Sequence, residues 1–293
     1  MQLFGKGAGL EMAECKVCFR HCNIEEGGLG FCGGRIAKNG AVEAYNYGII
    51  SSLALDPIEK KPLNSFFPGS MILSVGSFGC NLRCPFCQNH EISWSEEAKN
   101  YARSAETITP EELVGLAIKT RENGNIGIAF TYNEPLVGYE FVRDTAKLSK
   151  ERGLKNVMVT NGTAELAILD ELAPYIDAMN IDLKSFNEST YKEVLGGSLE
   201  QNASFIKRAT EVCHVELTTL IVPGVNDGEE EMRELSKWAA VLKNPSGEGV
   251  PLHVTRFFPR FHMQDRAATD TGLVYRLAEI ARESLDYVYV GNC

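Results

Sequence analysis

Gly79-Cys80-Asn81-Leu82-Arg83-Cys84-Pro85-Phe86-Cys87-Gln88-Asn89 stands directly after an apolar run, Met71 to Ser77. Three cysteines fall in it at a C-x3-C-x2-C spacing. Independent placement of cysteines would give that spacing somewhere in such a chain with odds of about one in a hundred. The apolar run reads as a strand, so the cysteines lie in the loop at its C-terminal end. Ligands gather at that end of the strands in parallel α/β barrels. A zinc knuckle or chance clustering is the plain alternative.

Downstream of this loop, apolar strands alternate with amphipathic helices. Strands are expected at Ile126 to Thr131, Val157 to Thr160, Ala178 to Leu183, Val215 to Val222, Leu252 to Phe257 and Tyr287 to Val290. Helices are expected at Pro110 to Asn123, with Thr109 as N-cap, and at Leu136 to Gly153 and Ala164 to Leu172. Further helices are expected over 188–211, with a Gly196-Gly197 break, and at Glu229 to Leu242 and Thr271 to Ser284. Such alternation implies parallel βα units. With the strand at Met71 there are six, plus a terminal strand, short of the eight that close a (β/α)₈ barrel. The expected fold is α/β, an open partial (β/α)6 TIM-like barrel.

The first sixty residues differ. Residues 15–40 are rich in Gly and Cys and lack apolar periodicity. Ala41 to Ser52 reads as a short strand or hairpin arm. Asp56-Pro57-Ile58-Glu59-Lys60-Lys61-Pro62 reads as a connector whose prolines forbid a regular helix. The expected division is a Cys-rich N-terminal segment over 1–62 and the barrel over 63–293.

The chain has 293 residues, with 44% hydrophobic and 23% charged residues, so it has ample apolar material for a core. No apolar run is long enough to span a membrane. Met1 to Glu14 shows no apolar h-region, so a leader is not expected. The net charge of -10 argues against nucleic acid as a partner. A cytoplasmic, reducing setting then makes disulfides a poor account of nine cysteines. Cys15, Cys18, Cys22 and Cys32 form a second group at C-x2-C-x3-C-x9-C. Four thiolates suit a structural zinc ion or a second [4Fe–4S] cluster, and spacing alone does not choose. Cys213 is expected to be a buried strand residue, and Cys293 an unused thiol.

The loop of Cys80, Cys84 and Cys87 resembles the signature of the radical S-adenosylmethionine (SAM) enzymes. The resemblance implies a [4Fe–4S] cluster on these three thiolates, with one iron left open for SAM. It implies reductive cleavage of SAM to a 5′-deoxyadenosyl radical that abstracts hydrogen from a substrate. It also implies a reduced flavodoxin or ferredoxin as electron donor.

The same resemblance places cofactor contacts along later strand ends. Phe86 matches an aromatic near the adenine. Asn133 and Glu134 stand where a Gly-Gly-Glu motif meets the SAM amino group, with Tyr132-Asn133 in place of the glycine pair. Thr160-Asn161-Gly162 and Asp182-Leu183-Lys184 resemble segments of glycyl-radical enzyme activases that approach SAM. Val159 replaces an Asp common there, which puts a cation site known in that group in doubt. Val222, in Ile221-Val222-Pro223-Gly224, matches a strand whose backbone meets the adenine, and His253 or His262 is expected near the SAM ribose. Chain-wide, the N-terminal cysteines, Asp56 to Pro62 and Phe67-Pro68-Gly69-Ser70 look like the AmmeMemoRadiSam-system radical SAM proteins. That group is similar to pyruvate formate-lyase-activating enzymes. Three functions follow as expectations. The first is activation of a glycyl-radical enzyme, a protein substrate. The second is radical modification of a small molecule or another protein side chain in an AmmeMemoRadiSam pathway. The third is a non-catalytic metal-binding scaffold.

Overall fold

The computed structural model describes residues 12–293. The leader expectation rests mostly on residues 1–11, which lie outside the described residues. Two small antiparallel hairpins come first. They are β1 (Met12–Glu14) with β2 (Asn23–Glu25), and β3 (Arg35–Lys38) with β4 (Ala41–Ala44). The second turns on Asn39-Gly40, both at positive φ, as a two-residue hairpin turn requires.

β5 (Ser52–Pro57) then runs antiparallel to β6 (Met71–Gly76) and opens the main sheet. Two short helices, α1 (His90–Trp94) and α2 (Glu96–Ala102), follow the cysteine loop. The βα units continue with α3 (Pro110–Lys119), β7 (Asn125–Phe130), α4 (Tyr139–Glu151), β8 (Lys155–Thr160) and α5 (Leu166–Leu172). They end with β9 (Ala178–Asp182), α6 (Leu199–Val212), β10 (His214–Ile221), α7 (Glu229–Ala240), β11 (Leu252–Arg256), α8 (Thr271–Arg282) and β12 (Val288–Gly291).

The eight-stranded sheet has the order β12-β11-β10-β9-β8-β7-β6-β5. All pairs from β6 to β12 are parallel, and β5 and β12 are its open edges. This is the expected six-unit partial barrel with its terminal strand. One boundary is corrected. β5 lies ahead of residue 63, yet it shares the barrel sheet because its backbone pairs with β6 over six residues. The connector Asp56 to Pro62 is held as a 3-10 turn at Ile58–Lys60 between its prolines.

Sequence logic accounts for the helices. α3 opens with a full capping box, the Thr109 hydroxyl on the Glu112 N–H and the Glu112 carboxylate on the Thr109 N–H. Such a cap contributes roughly 1 kcal/mol. Gly196, at φ +66, ends a π-helical turn over Thr190–Leu195 before α6 begins. The main core lies between the sheet and α3 to α8, with Leu113, Phe141, Leu169, Phe205, Leu235 and Leu277 buried against strand residues such as Met158 and Leu217. No helix among the described residues is long and apolar enough to cross a membrane.

Candidate active site at the barrel mouth

A cavity of about 690 Å³ runs through the barrel. Its mouth is at the C-terminal strand ends, lined by Cys80, Cys84, Phe86, Cys87, Asn133, Glu134, Thr160, Asn161, Asp182 and Lys184. Its floor is at the opposite end, where Pro57, Glu59, Lys60, Pro62 and Asn64 line it.

The mouth is built on Glu134. Its carboxylate accepts from the Thr160 hydroxyl at 2.7 Å, the Asn161 N–H at 2.7 Å and the Leu136 N–H at 3.1 Å. Burial nevertheless pushes its pKa up to about 7, against those donors, with Asp182 adding repulsion. Glu134 is thus a carboxylate short of positive charge, facing a cavity. Lys184 binds Asp182 at 2.7 Å. Burial alone would lower the Lys184 pKa, but Asp182 and Cys84 hold it raised.

Asn133 lines the mouth, but its side chain is spent on the loop. Its amide N–H groups donate to the Phe78 and Gly79 carbonyls, and its oxygen accepts from the Ser77 N–H. Tyr132 explains how the glycine pair was replaced. It adopts φ +73, the left-handed backbone that glycine normally supplies. The strain is of order 1–3 kcal/mol. Two contacts hold it: the Tyr132 hydroxyl donates to Asp56 at 2.7 Å, and Asn89 donates to the Tyr132 carbonyl at 2.7 Å. Asp56 in turn pairs with the buried Lys61 at 2.9 Å.

Two expected contacts stand apart from the mouth. Val222 does not line the cavity; it packs with Leu82, Phe86 and Phe257 beneath the loop. Its N–H donates to Asn226 and its carbonyl accepts from the Val225 and Asn226 N–H groups, so its backbone is committed. His253 lines the cavity near its floor. It is the second residue of β11, its Nε2 is 2.7 Å from Glu216, and its ring stacks on Tyr289. A side chain so held is part of the barrel floor. His262 offers its backbone N–H to the Pro85 carbonyl.

Glu216 was not singled out in the sequence, where it reads as one charge in an apolar strand. It is completely buried, accepts from the Asn64 and Ser65 N–H groups, and binds His214 and His253. Those donors outweigh burial and hold its pKa down at about 2. Asn81 was also missed, although it sits inside the motif. It is buried, donates to Thr163 and accepts from Asn161, which also reaches the Cys80 Sγ at 3.7 Å.

All nine cysteines are free thiols. Burial pushes Cys84 up to about 12 and raises Cys80 and Cys87 as well. Among the described residues, no three His, Cys, Asp or Glu side chains gather tightly enough to hold a single metal ion.

The family model of the radical SAM superfamily matches residues 74–236. The chain belongs to the radical SAM superfamily. An uncharacterized protein of Methanocaldococcus jannaschii is 40% identical over 280 residues, covering 95% of this chain and 80% of that protein. The pyruvate formate-lyase 1-activating enzyme of Escherichia coli is 26% identical over 172 residues, 57% of this chain and 67% of that enzyme. The crystal structure of Streptococcus suis SuiB bound to S-adenosylmethionine shares the fold at a TM-score of 0.57 and 15% identity. That match covers 76% of this chain and 52% of SuiB, so the chain spans about half of SuiB's length.

Radical SAM membership implies a [4Fe–4S] cluster and SAM. The residues fit both. Three soft donors line the mouth beside Glu134, the acceptor an amino group needs.

Proposed function

We propose that this chain is a radical SAM oxidoreductase that abstracts a hydrogen atom from its substrate. The carrying observation is the convergence of Cys80, Cys84, Cys87 and Glu134 on one cavity mouth. One electron from a bound [4Fe–4S] cluster supplies the reductive cleavage of SAM. The chain's own residues do the rest. Cys80, Cys84 and Cys87 hold the cluster after losing their protons. Glu134 accepts from the SAM amino group, and Thr160 and Asn161 fix its carboxylate. Phe86, buried under the loop, offers an apolar surface at the mouth. Asp182 and Lys184 present polar atoms toward the SAM hydroxyls and carboxylate.

The activase reading, with a glycyl-radical enzyme as protein substrate, is supported by the activating-enzyme match over 57% of the chain. The second reading is radical modification of a small molecule or another protein side chain in an AmmeMemoRadiSam pathway. It rests on the resemblance carried by the N-terminal cysteines and the Asp56 to Pro62 segment. We assign a second metal to Cys15, Cys18, Cys22 and Cys32, and to the protein a reduced flavodoxin or ferredoxin as electron donor and a cytoplasmic setting.

Anaerobic, reduced, reconstituted protein is expected to convert SAM to 5′-deoxyadenosine. Cys84→Ala is expected to abolish this, because two thiolates do not retain the cluster. Turnover retained in that variant would refute the assignment. Zinc without iron in the wild type would favour the scaffold reading instead.

A further inference from the structure

The two cysteine groups are far apart in sequence but meet in space. The Cys80 N–H donates to the Cys32 carbonyl at 3.2 Å. Gly79, at φ +95, makes this approach possible, since a Cβ there would stand 2.8 Å from the same carbonyl oxygen. A second link runs through side chains. Asn81 lies beside the Cys18 thiol, it accepts from Asn161 at 2.9 Å, and Asn161 donates to the Cys80 Sγ.

Two arginines lie at this joint. Arg20 donates to the Asn81 and Gly196 carbonyls. Arg83 donates to the Cys80, Leu82 and Phe31 carbonyls. Both guanidinium groups stack on Phe31, at 3.4 and 3.9 Å from its ring centroid. Among the described residues neither has a carboxylate within 4.0 Å, in a chain with 39 acidic side chains. Two cations on one ring repel each other. The ionisable groups that face both are thiols of the two groups, Cys32 and Cys80. An anionic metal–thiolate centre on each side would supply the missing counter-charge.

We propose that Arg20 and Arg83, stacked on Phe31, are positioning residues that bridge two iron–sulfur centres and favour their reduced states, so that electrons enter the barrel through the N-terminal cysteine group. This rests on the N-terminal metal being an iron–sulfur cluster. A centre held by Cys15, Cys18, Cys22 and Cys32 would take one electron from a low-potential donor and would pass it to a centre held by Cys80, Cys84 and Cys87. No bond forms or breaks in that transfer, and the donor is the species oxidised. Each reduction adds a negative charge beside the guanidinium groups, which stabilise it electrostatically. The same cations act on both centres, so one substitution should shift both potentials in the same direction.

The test is a dithionite-based redox titration followed by electron paramagnetic resonance, on the full chain reconstituted anaerobically. Wild type is expected to carry about eight irons, with two reducible signals broadened by mutual spin coupling. Arg20→Gln and Arg83→Gln should retain iron and disfavour reduction about tenfold, a drop of about 59 mV for one electron. Arg20→Lys and Arg83→Lys keep the charge and should hold the potential near wild type. Equal behaviour of the Lys and Gln variants would overturn the bridge, whether potentials are unchanged or iron is lost in both. Four irons with zinc, or four irons alone, would instead overturn the N-terminal cluster itself. The iron and zinc count tells these two failures apart.

Discussion

Replacing Glu134 by Gln should weaken SAM binding while stabilising the empty protein, and the two effects should depend on pH together. Glu134 has a pKa of about 7 in the folded chain, against an ordinary value of 4.5. That is a raised carboxylate, so its stabilising contribution is complete below about pH 4.5. It is lost as pH rises toward 7, because ionising the group costs more in the fold than in the open chain. The difference corresponds to up to about 3 kcal/mol at pH 8, at roughly 1.4 kcal/mol per pH unit. Glu134→Gln removes the cost of ionisation. It also turns an amide NH2 toward the Asn161 and Leu136 N–H groups, so the measured gain should fall below that ceiling.

Binding has the opposite sign. A hydrogen bond to a charged acceptor is worth about 1.5–3 kcal/mol, or roughly 10- to 150-fold in affinity. At pH 8 the Gln variant should therefore bind SAM at least about tenfold more weakly than wild type. At pH 6 only about a tenth of Glu134 is ionised, so the gap should shrink by about tenfold. Protonation of SAM itself affects both proteins equally and cancels in the ratio. Anaerobic calorimetry of the reconstituted proteins gives the affinities, and urea unfolding of the empty proteins gives the stabilities. A ratio that stays constant from pH 6 to pH 8 would refute the reasoning, as would a Gln variant less stable than wild type at pH 8.

Glu216 should respond with the reverse sign. Its pKa of about 2 lies below the ordinary 4.5, so its contribution of about 3 kcal/mol is present above pH 4.5 and lost as pH falls toward 2. Glu216→Gln should therefore lose about that much in urea unfolding at pH 7, and equal stability of the two proteins would count against the buried network. Gly127→Ala should destabilise by roughly 1–3 kcal/mol or more. A Cβ there would lie 1.8 Å from the Lys155 carbonyl oxygen, which is backbone of β8 and cannot step aside alone. A thermal midpoint within a degree of wild type would show that the strands separate more easily than this packing implies.

The repeating units were legible because each element carries its own local signal. Thr109-Pro110 with Glu112 announces α3, and apolar strand runs announce β6 to β11. What escaped depends on partners distant in sequence. β5 reads as a lone apolar stretch, and only pairing with β6 makes it part of the barrel. α1 and α2 have five and seven residues, too short for a helical period to stand out. At the site, the cysteine spacing and Glu134 were legible because their chemistry is local. The surroundings of His253 are not legible, because its partner Glu216 lies 37 residues earlier in the chain. Tyr132 reads as a departure from a glycine pattern. The Asp56 and Asn89 contacts that let it keep the glycine backbone lie 76 and 43 residues away.

The two ends of the cavity differ in one physical respect that separates function from support. At the floor every strong group is matched. Glu216 receives four donors and is held ionised, and Asn180 is tied to the Pro62 carbonyl and Thr218. At the mouth the groups are left wanting. Glu134 is buried without a cation, three thiols are pushed upward by burial, and Tyr132 stores backbone strain. A fold does not keep unmet electrostatic demand for its own stability. Glu134 and the three cysteines gain by taking on positive charge. The thiols would lose their protons to solvent on binding iron, and Glu134 would meet an amino group. Ligand binding should therefore stabilise the mouth more than the floor, and the cost of that poise falls on the empty protein.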